Sequence, residues 1–118
     1  MPQPPTPLSL GILIALADRD RHGYAILKEI ERQSEGRVSP GTGTLYAALQ
    51  RLVEEGLIAE APEAAEPDED ARRRYYTLTV DGRDVAREES RRLARLVEIA
   101  GEKDLLTGWR LAPQADEP

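Results

Sequence analysis

Apolar side chains recur at helical spacing in several stretches of the chain. Residues 8–17 are apolar on most sides, which predicts a first helix lying centrally in the core. After a polar break, residues 23–34 place Tyr24, Leu27 and Ile30 on one side and predict a second helix. Both segments therefore belong to a helical domain with a single modest core.

The clearest pattern predicts a third helix over residues 42–55. Its apolar residues occupy positions i, i+3, i+4, i+7 and i+8, namely Leu45, Ala48, Leu49, Leu52 and Val53. The preceding residues 39–43 combine turn formers with the Ser and Thr favoured at a helix N-cap, and Gly56 suits the C-terminal end. The apolar face is expected to be buried, which leaves Gln50, Arg51 and Glu54 pointing elsewhere.

Two strand candidates and a last helix complete the chain. Residues 57–60 form a short candidate, and residues 74–79 form a better one because they contain β-favouring Tyr and Thr. The acidic, Pro-containing residues 61–71 between them are interpreted as a long hairpin loop. A long helix then runs from about residue 81 or 82 to Lys103, with a possible extension to Trp109.

Composition excludes several classes of protein. The 118 residues contain no Cys and one His, so disulfides, Cys-based metal sites, Cys nucleophiles and His-rich metal clusters are not expected, and no cofactor or metal is predicted. No acid, base and nucleophile set can be assembled, which makes an enzyme the weakest hypothesis. His22 is interpreted as a packing or capping residue. The absence of a signal peptide and of a long apolar run predicts a cytoplasmic protein with no membrane partner.

Charge is distributed unevenly along the chain. The net charge is −6, which argues at first against nucleic acid, but residues 57–70 carry −6 while residues 71–95 carry +4. The basic stretch opens with Arg72, Arg73 and Arg74. Such a local concentration of positive charge is what a phosphate contact requires.

Three helices, a two-stranded hairpin and a long helix follow one another in the order of a winged helix-turn-helix. The sequence therefore predicts a mainly α (α+β) fold. In such folds the third helix enters the DNA major groove, and the hairpin, called the wing, touches the adjacent backbone.

Several motifs resemble the PadR family of bacterial transcriptional regulators. They are His22-Gly23-Tyr24, Gly41-Thr42-Gly43-Thr44-Leu45-Tyr46, Ala48-Leu49-Gln50-Arg51-Leu52, Glu55-Gly56-Leu57-Ile58, and a wing-like Arg72-Arg73-Arg74-Tyr75-Tyr76-Thr77-Leu78-Thr79 closed by Gly82. The resemblance covers about residues 8–90, and the single C-terminal helix is similar to the smaller subgroup of the family. The acidic loop 60–70 lacks the Gly often found at the family's wing tip.

The candidate DNA-binding residues combine the resemblance with side-chain chemistry. Small residues at a helix start let backbone N–H groups approach a phosphate, a Gln suits an adenine edge, and an Arg suits a phosphate or a guanine. The candidates are Ser39, Thr42, Gly43, Thr44, Tyr46, Gln50, Arg51, Arg72, Arg73 and Arg74. Three alternatives stay open: Tyr46 packs against the wing, Arg51 pairs with Glu54 or Glu55, and the arginine run pairs with its own acidic loop.

The last helix carries an apolar stripe that is expected to be buried against another protein surface. The resemblance implies that it packs against a partner subunit, with a dimer interface formed by Leu93, Leu96, Val97, Ala100, Leu106 and Trp109. The alternative is that the helix folds back over its own core. In similar proteins aromatic residues at the dimer centre can face flat hydrophobic ligands, so Trp109 is a candidate effector-binding residue, with plain interface burial as the alternative.

The predicted organisation has four parts: a disordered N-terminal arm (1–7), a winged-helix DNA-binding domain (8–80), a C-terminal dimerisation helix (81–109) and a disordered tail (110–118). The resemblance implies a homodimeric repressor that occludes a promoter at double-stranded operator DNA and is relieved by a small-molecule effector. The alternative is a winged-helix protein-interaction module without DNA binding, which the acidic balance permits.

Overall fold

Four helices and three strands make up residues 3–62 and 74–109, the part of the chain that the computed structural model describes. The elements are α1 (Pro7–Ala15), β1 (Arg21–His22), α2 (Gly23–Gln33), α3 (Thr42–Glu54), β2 (Ile58–Glu60), β3 (Tyr75–Leu78) and α4 (Val80–Glu102). The predicted winged helix-turn-helix with a long C-terminal helix is confirmed. The proposed tail, residues 110–118, lies outside the described residues.

Helix α1 occupies the centre of the core, as its apolar sequence predicts. The Thr6 hydroxyl accepts a hydrogen bond from the Ser9 amide at 3.1 Å, and Pro7 fits the first turn because its missing N–H is not needed there. Ile12 and Leu13 are fully buried. The helix ends at Ala15, two residues before the predicted end; beyond it Leu16 is still buried, whereas Ala17 is exposed.

Strand β1 was not predicted from the sequence. Its two residues pair antiparallel with β3, and β3 pairs antiparallel with β2, which gives the sheet order β1-β3-β2. Arg21 lies opposite Tyr76 and His22 opposite Tyr75. A two-residue strand is too short to show an alternating pattern, so the sequence indicated a two-stranded hairpin where a three-stranded sheet forms.

Helix α2 packs Leu27 and Ile30 against the core, but Tyr24, which the sequence grouped with them, is not buried. Gly23, Ile26 and Ile30 are its buried residues, whereas Tyr24 is 58% exposed. The prediction for Tyr24 was wrong because it counted only large apolar residues, and the position that faces the interior at the helix start is a glycine. The Nζ atom of Lys28 lies 5.3 Å from the centre of the exposed Tyr24 ring.

Helix α4 begins in very close contact with the strands. The Thr79 hydroxyl donates to the Gly56 carbonyl at 2.7 Å and accepts from the Gly82 amide at 3.0 Å, so it caps α4 and ties it to the end of the α3–β2 turn. A Cβ at Gly82 would lie 1.9 Å from the Leu57 carbonyl oxygen. The fold therefore has space only for glycine at this position.

The two halves of α4 have different surroundings. The first half packs on the core and buries Ala86 and Glu89. Beyond Leu93, which packs partly against the core, the helix leaves the domain and its side chains become accessible. With 23 residues, α4 is about 34 Å long, so the second half extends well past the wing domain. In the described ranges, no helix has the length and apolar character needed to cross a membrane.

Candidate nucleic-acid interface

The turn before α3 is braced by side chains of α2. The Ser34 hydroxyl accepts from the Val38 amide at 2.8 Å, and the Ser39 hydroxyl donates to Glu31 Oε2 at 2.6 Å. Lys28 Nζ lies 3.5 Å from the other oxygen of Glu31. The Ser39 hydrogen bond and, after it, the Lys28 charge lower the pKa of Glu31 below its ordinary value. Ser39, a candidate DNA contact, therefore already uses its hydroxyl inside the protein.

Helix α3 presents its polar side chains to solvent and its apolar stripe to the core. Leu45, Ala48, Leu49 and Leu52 are buried as predicted. The N-cap is Gly41, which has no side chain to cap the helix, so the expected Ser or Thr cap is not used. Within the described ranges, the exposed polar residues make no side-chain hydrogen bond or ion pair; they are Thr42, Thr44, Tyr46, Gln50, Arg51 and the acidic Glu54. These groups are available to an external ligand.

The exposed side of α3 has a small-residue centre and two different flanks. Successive residues of an α-helix are separated by about 100° around its axis, which places Gly43 and Ala47, and further along the helix Gln50 and Glu54, in the middle of this side. Tyr46 lies on the flank toward the strands, and Arg51 lies on the opposite flank, where it lines a cleft of about 530 Å³ with residues 3–6. Tyr46 and Arg51 therefore lie on opposite flanks of the exposed side of α3.

Tyr46 packs against the first turn of α2. A Cβ placed on Gly23 would lie 2.4 Å from the Tyr46 hydroxyl oxygen and 2.7 Å from its Cζ atom, so the phenol occupies the space above this glycine. The ring also borders the groove toward the wing, yet 45% of the residue remains exposed. Tyr46 therefore borders the wing, as the alternative interpretation expected, but it also packs against α2 and is partly exposed to solvent.

A groove of about 610 Å³ separates α3 from the wing strands. Its lining consists of Tyr46, Gln50, Val53, Glu54, Glu60, Arg74 and Tyr76. Arg74 Nη1 lies 3.4 Å from Glu60 Oε1, and both side chains are more than half exposed. Burial raises the pKa of Tyr76, and the nearby Glu60 carboxylate raises it further. Arg74 therefore reaches the groove but is shared with a carboxylate, and Arg72 and Arg73 lie outside the described residues.

Most described arginines are already occupied by carboxylates or carbonyls. Those with such partners are Arg21, Arg32, Arg74, Arg83, Arg87, Arg92 and Arg95. In the part of the chain that the structure covers, Arg19, Arg37, Arg51 and Arg91 have no hydrogen bond or ion pair. The alternative role for Arg51, an ion pair with Glu54 or Glu55, does not form here. Arg37 precedes α3 and was not among the DNA-binding candidates predicted from the sequence.

The candidate dimer residues continue the face of α4 that packs on the core. Leu96 is 55% exposed and Val97 is 40% exposed, while Leu93, Ala100 and Leu106 are partly covered. Helix α4 ends at Glu102, so Trp109 lies beyond it and is 61% exposed. Leu105, 73% exposed, also lies beyond α4 and was not among the candidates, although its neighbour Leu106 was.

His22 has a structural role. Its Nδ1 atom accepts a hydrogen bond from the Ala25 amide at 3.1 Å and caps α2, and its ring lies edge-on to Tyr75 with centroids 5.2 Å apart. This is the capping role expected from the sequence. Among the described residues, no group of three or more His, Asp or Glu side chains is arranged to hold a metal ion.

Comparison with known proteins identifies the family to which this arrangement belongs. The model of the transcriptional regulator PadR-like family matches residues 12–88, which include α2, α3 and both wing strands. The chain belongs to the PadR-like family. This family consists of transcriptional regulators and not of enzymes, so the PadR-like domain described above is that of a transcriptional regulator.

Two curated proteins match the PadR-like domain in sequence. An uncharacterized 37.1 kDa protein in transposon TN4556 of Streptomyces fradiae is 42% identical over 86 residues, which cover 72% of this chain and 22% of that protein. The transcriptional regulator YqjI of Escherichia coli K12 is 32% identical over 91 residues, which cover 77% of this chain and 41% of YqjI. The chain thus spans well under half the length of these two relatives.

Solved structures share the PadR-like fold over most of the chain. A transcriptional regulator from Clostridium thermocellum superposes with a TM-score of 0.66 at 25% identity, covering 80% of this chain and 87% of that one. Bacillus subtilis PadR in complex with operator DNA superposes with a TM-score of 0.59 at 20% identity, covering 94% of this chain and 51% of that one. The second match supports the fold alone.

Proposed function

We propose that this PadR-like chain binds double-stranded operator DNA through the exposed side of α3. The single observation that carries the proposal is that this side presents polar groups that make no hydrogen bond or ion pair within the described chain. Gln50 would contact a base edge, and Thr42, Thr44 and Tyr46 would contact phosphates, with Gly43 permitting close approach at the helix start. Bacillus subtilis PadR, whose fold is similar, was solved in complex with operator DNA.

Charge on either side of α3 supports a backbone contact. Arg51 is exposed and has no ion pair with any residue of the described ranges 3–62 and 74–109, so it can bind a phosphate without first breaking such a pair. Arg74 would have to give up its ion pair with Glu60 in order to bind a phosphate. We propose that Arg72 and Arg73 contact the DNA backbone beside it. Ser39 would act by holding the turn that leads into α3, since its hydroxyl is bonded to Glu31.

We further propose that the protein acts in the cytoplasm as a homodimeric repressor. The exposed apolar residues Leu96 and Val97 support a dimer, because a second copy of α4 would cover them. Leu93, Ala100, Leu106 and Trp109 complete this interface in the proposal. Binding would occlude a promoter, and a small hydrophobic effector near Trp109 would relieve it by changing the spacing of the two α3 helices.

The experiment is a salt titration of binding to the DNA upstream of the protein's own gene, followed by fluorescence anisotropy. Each phosphate contact of a Lys or Arg side chain that is lost reduces the slope of log K against log salt by about one, whereas loss of a contact from a neutral hydroxyl leaves the slope unchanged. We expect Arg51→Ala to reduce the slope by about one and Arg74→Ala to reduce it less, because Arg74 is paired with Glu60. Arg91→Ala, on the side of α4 that faces away from the core, is the matched control and should leave the slope unchanged.

Two results would contradict the DNA-binding assignment. Equal slopes for wild type, Arg51→Ala and Arg74→Ala would show that the site is misplaced. Absence of binding to the upstream DNA and to unrelated duplex, even at low salt, would favour the other candidate, a protein-interaction module without DNA binding. The exposed carboxylates Glu54 and Glu60 beside the groove are the observation that favours this second candidate.

A further inference from the structure

Gly23 is a glycine whose backbone does not require one. Among the glycines of the described chain, only Gly36, Gly56 and Gly108 have a positive φ, the conformation that disfavours other residues. Gly23 instead opens α2, where an alanine would be the better helix former. The reason for a glycine must therefore be sought in the space around it.

That space is filled by Tyr46. The three heavy atoms nearest to a Cβ on Gly23 all belong to the Tyr46 phenol, at 2.4, 2.7 and 3.0 Å. Real Cβ atoms do not approach other heavy atoms within 3 Å, so an added methyl group and the phenol cannot both keep these positions. Because these atoms lie at the far end of a flexible side chain, the ring would move and the backbone would not.

We propose that Gly23 is a positioning residue for DNA binding: the slot above its Cα receives the Tyr46 phenol and fixes it at the edge of the DNA-facing side of α3. With the ring held against α2, the small residues Gly43 and Ala47 are left clear to approach the major groove. A displaced phenol would either lose its own phosphate contact or project over that small-residue centre. This inference rests on the proposed DNA-binding function.

The test is a double-mutant cycle with Gly23→Ala, Tyr46→Ala and the combined variant. Binding to the same upstream duplex is measured at low salt, where phosphate contacts keep weak variants measurable. Gly23→Ala is expected to weaken binding by roughly threefold to tenfold, the size of one lost hydrogen bond, without changing the salt slope. In the Tyr46→Ala background the same substitution should have no further effect, because no phenol remains to displace.

Two further measurements separate positioning from folding. The melting temperature of Gly23→Ala should be unchanged or slightly raised, as for the control Gly101→Ala, where an added Cβ meets only Leu106 Cδ1 at 3.6 Å. In NMR spectra of the wild type, nuclear Overhauser effects are expected between the Tyr46 ring and the Gly23 Hα protons. In Gly23→Ala, the nuclear Overhauser effects between the Tyr46 ring and residue 23 are expected to weaken.

The outcomes are distinguishable. Wild-type affinity in Gly23→Ala, or an equal loss in both backgrounds, would overturn the role of Gly23 while leaving the proposed function standing. A wild-type protein that binds no duplex would overturn the proposed function itself, and this is visible before any variant is compared.

Discussion

At the scale of single residues, Gly23 and Gly82 both lie where a Cβ atom would collide with a neighbouring group, but the neighbouring groups differ. The Tyr46 side chain fills the space at Gly23, whereas at Gly82 the nearest atom is the backbone oxygen of Leu57. A side chain can rotate away, but the backbone of Leu57, which is hydrogen-bonded to Leu52 and Thr79, cannot. Substitution at Gly23 should therefore affect binding, and substitution at Gly82 should affect folding.

Gly82→Ala is predicted to destabilise the domain. Its Cβ would lie 1.9 Å from the Leu57 oxygen and 2.8 Å from Leu78 Cδ1, so α4 must move away from the start of β2. Overpacking of this kind costs about 1–3 kcal/mol of unfolding free energy, and occasionally more. Urea denaturation followed by circular dichroism measures this. Gly101→Ala is the control, with an expected gain of about 0.5–1 kcal/mol. Equal effects at both positions would contradict the close contact.

Ser39→Ala is predicted to raise the pKa of Glu31. The Ser39 hydroxyl is the largest cause that lowers this pKa, and Lys28 adds to it. A carboxyl whose pKa is lower in the folded state stabilises the fold above its unfolded pKa, and this stabilisation is lost as pH falls through the folded pKa. Ser39→Ala should therefore reduce the part of acid sensitivity that comes from Glu31. A ¹³C titration of the Glu31 carboxyl checks the shift.

Glu29 provides the internal control for this titration. Its pKa is lowered by a hydrogen bond from Arg32, not by Ser39, so it should titrate identically in both proteins. An unchanged Glu31 pKa in Ser39→Ala would mean that Ser39 does not hold the turn before α3, and its direct contact with DNA would then regain support.

At the scale of elements, long periodic segments were predictable and short ones were not. Helix α3 could be placed to within one residue because five apolar positions repeat along it. Strand β1 could not, since two residues carry no period and its pairing depends on β3, more than 50 positions away along the chain. The exposed side of α3 followed from the same periodicity, but the contact of Tyr46 with Gly23 joins two helices and leaves no local signal.

The second half of α4 should determine the oligomeric state. Leu96→Glu and Val97→Glu place charges on exposed positions of its apolar face, so they should separate a dimer while leaving each domain folded. Leu93→Glu is a poorer test, because Leu93 packs partly against the core and its substitution would also destabilise the monomer. Analytical ultracentrifugation gives the mass, with Arg91→Glu on the opposite side as the control. A wild-type monomer, or dimers in every variant, would contradict the assignment.

At the scale of the whole molecule, a two-fold dimer predicts a fixed spacing between two half-sites. Two α3 helices related by a two-fold axis can enter successive major grooves only when the half-sites lie about one helical turn of DNA apart. Once a footprint has located the operator, insertion of about 5 base pairs between the half-sites should reduce affinity strongly, since it turns one of them to the far side of the duplex.

Insertion of about 10 base pairs returns both half-sites to the same face of the duplex but increases the distance between them. Affinity should therefore recover only to the extent that bending of α4 lets the two domains move apart. The monomeric Leu96→Glu variant supplies the control, because a single domain reads one half-site and should not respond to either insertion. If the wild type were also insensitive to both insertions, each domain would be binding DNA independently. The exposed face of α4 would then have to serve a partner other than a second copy of this chain.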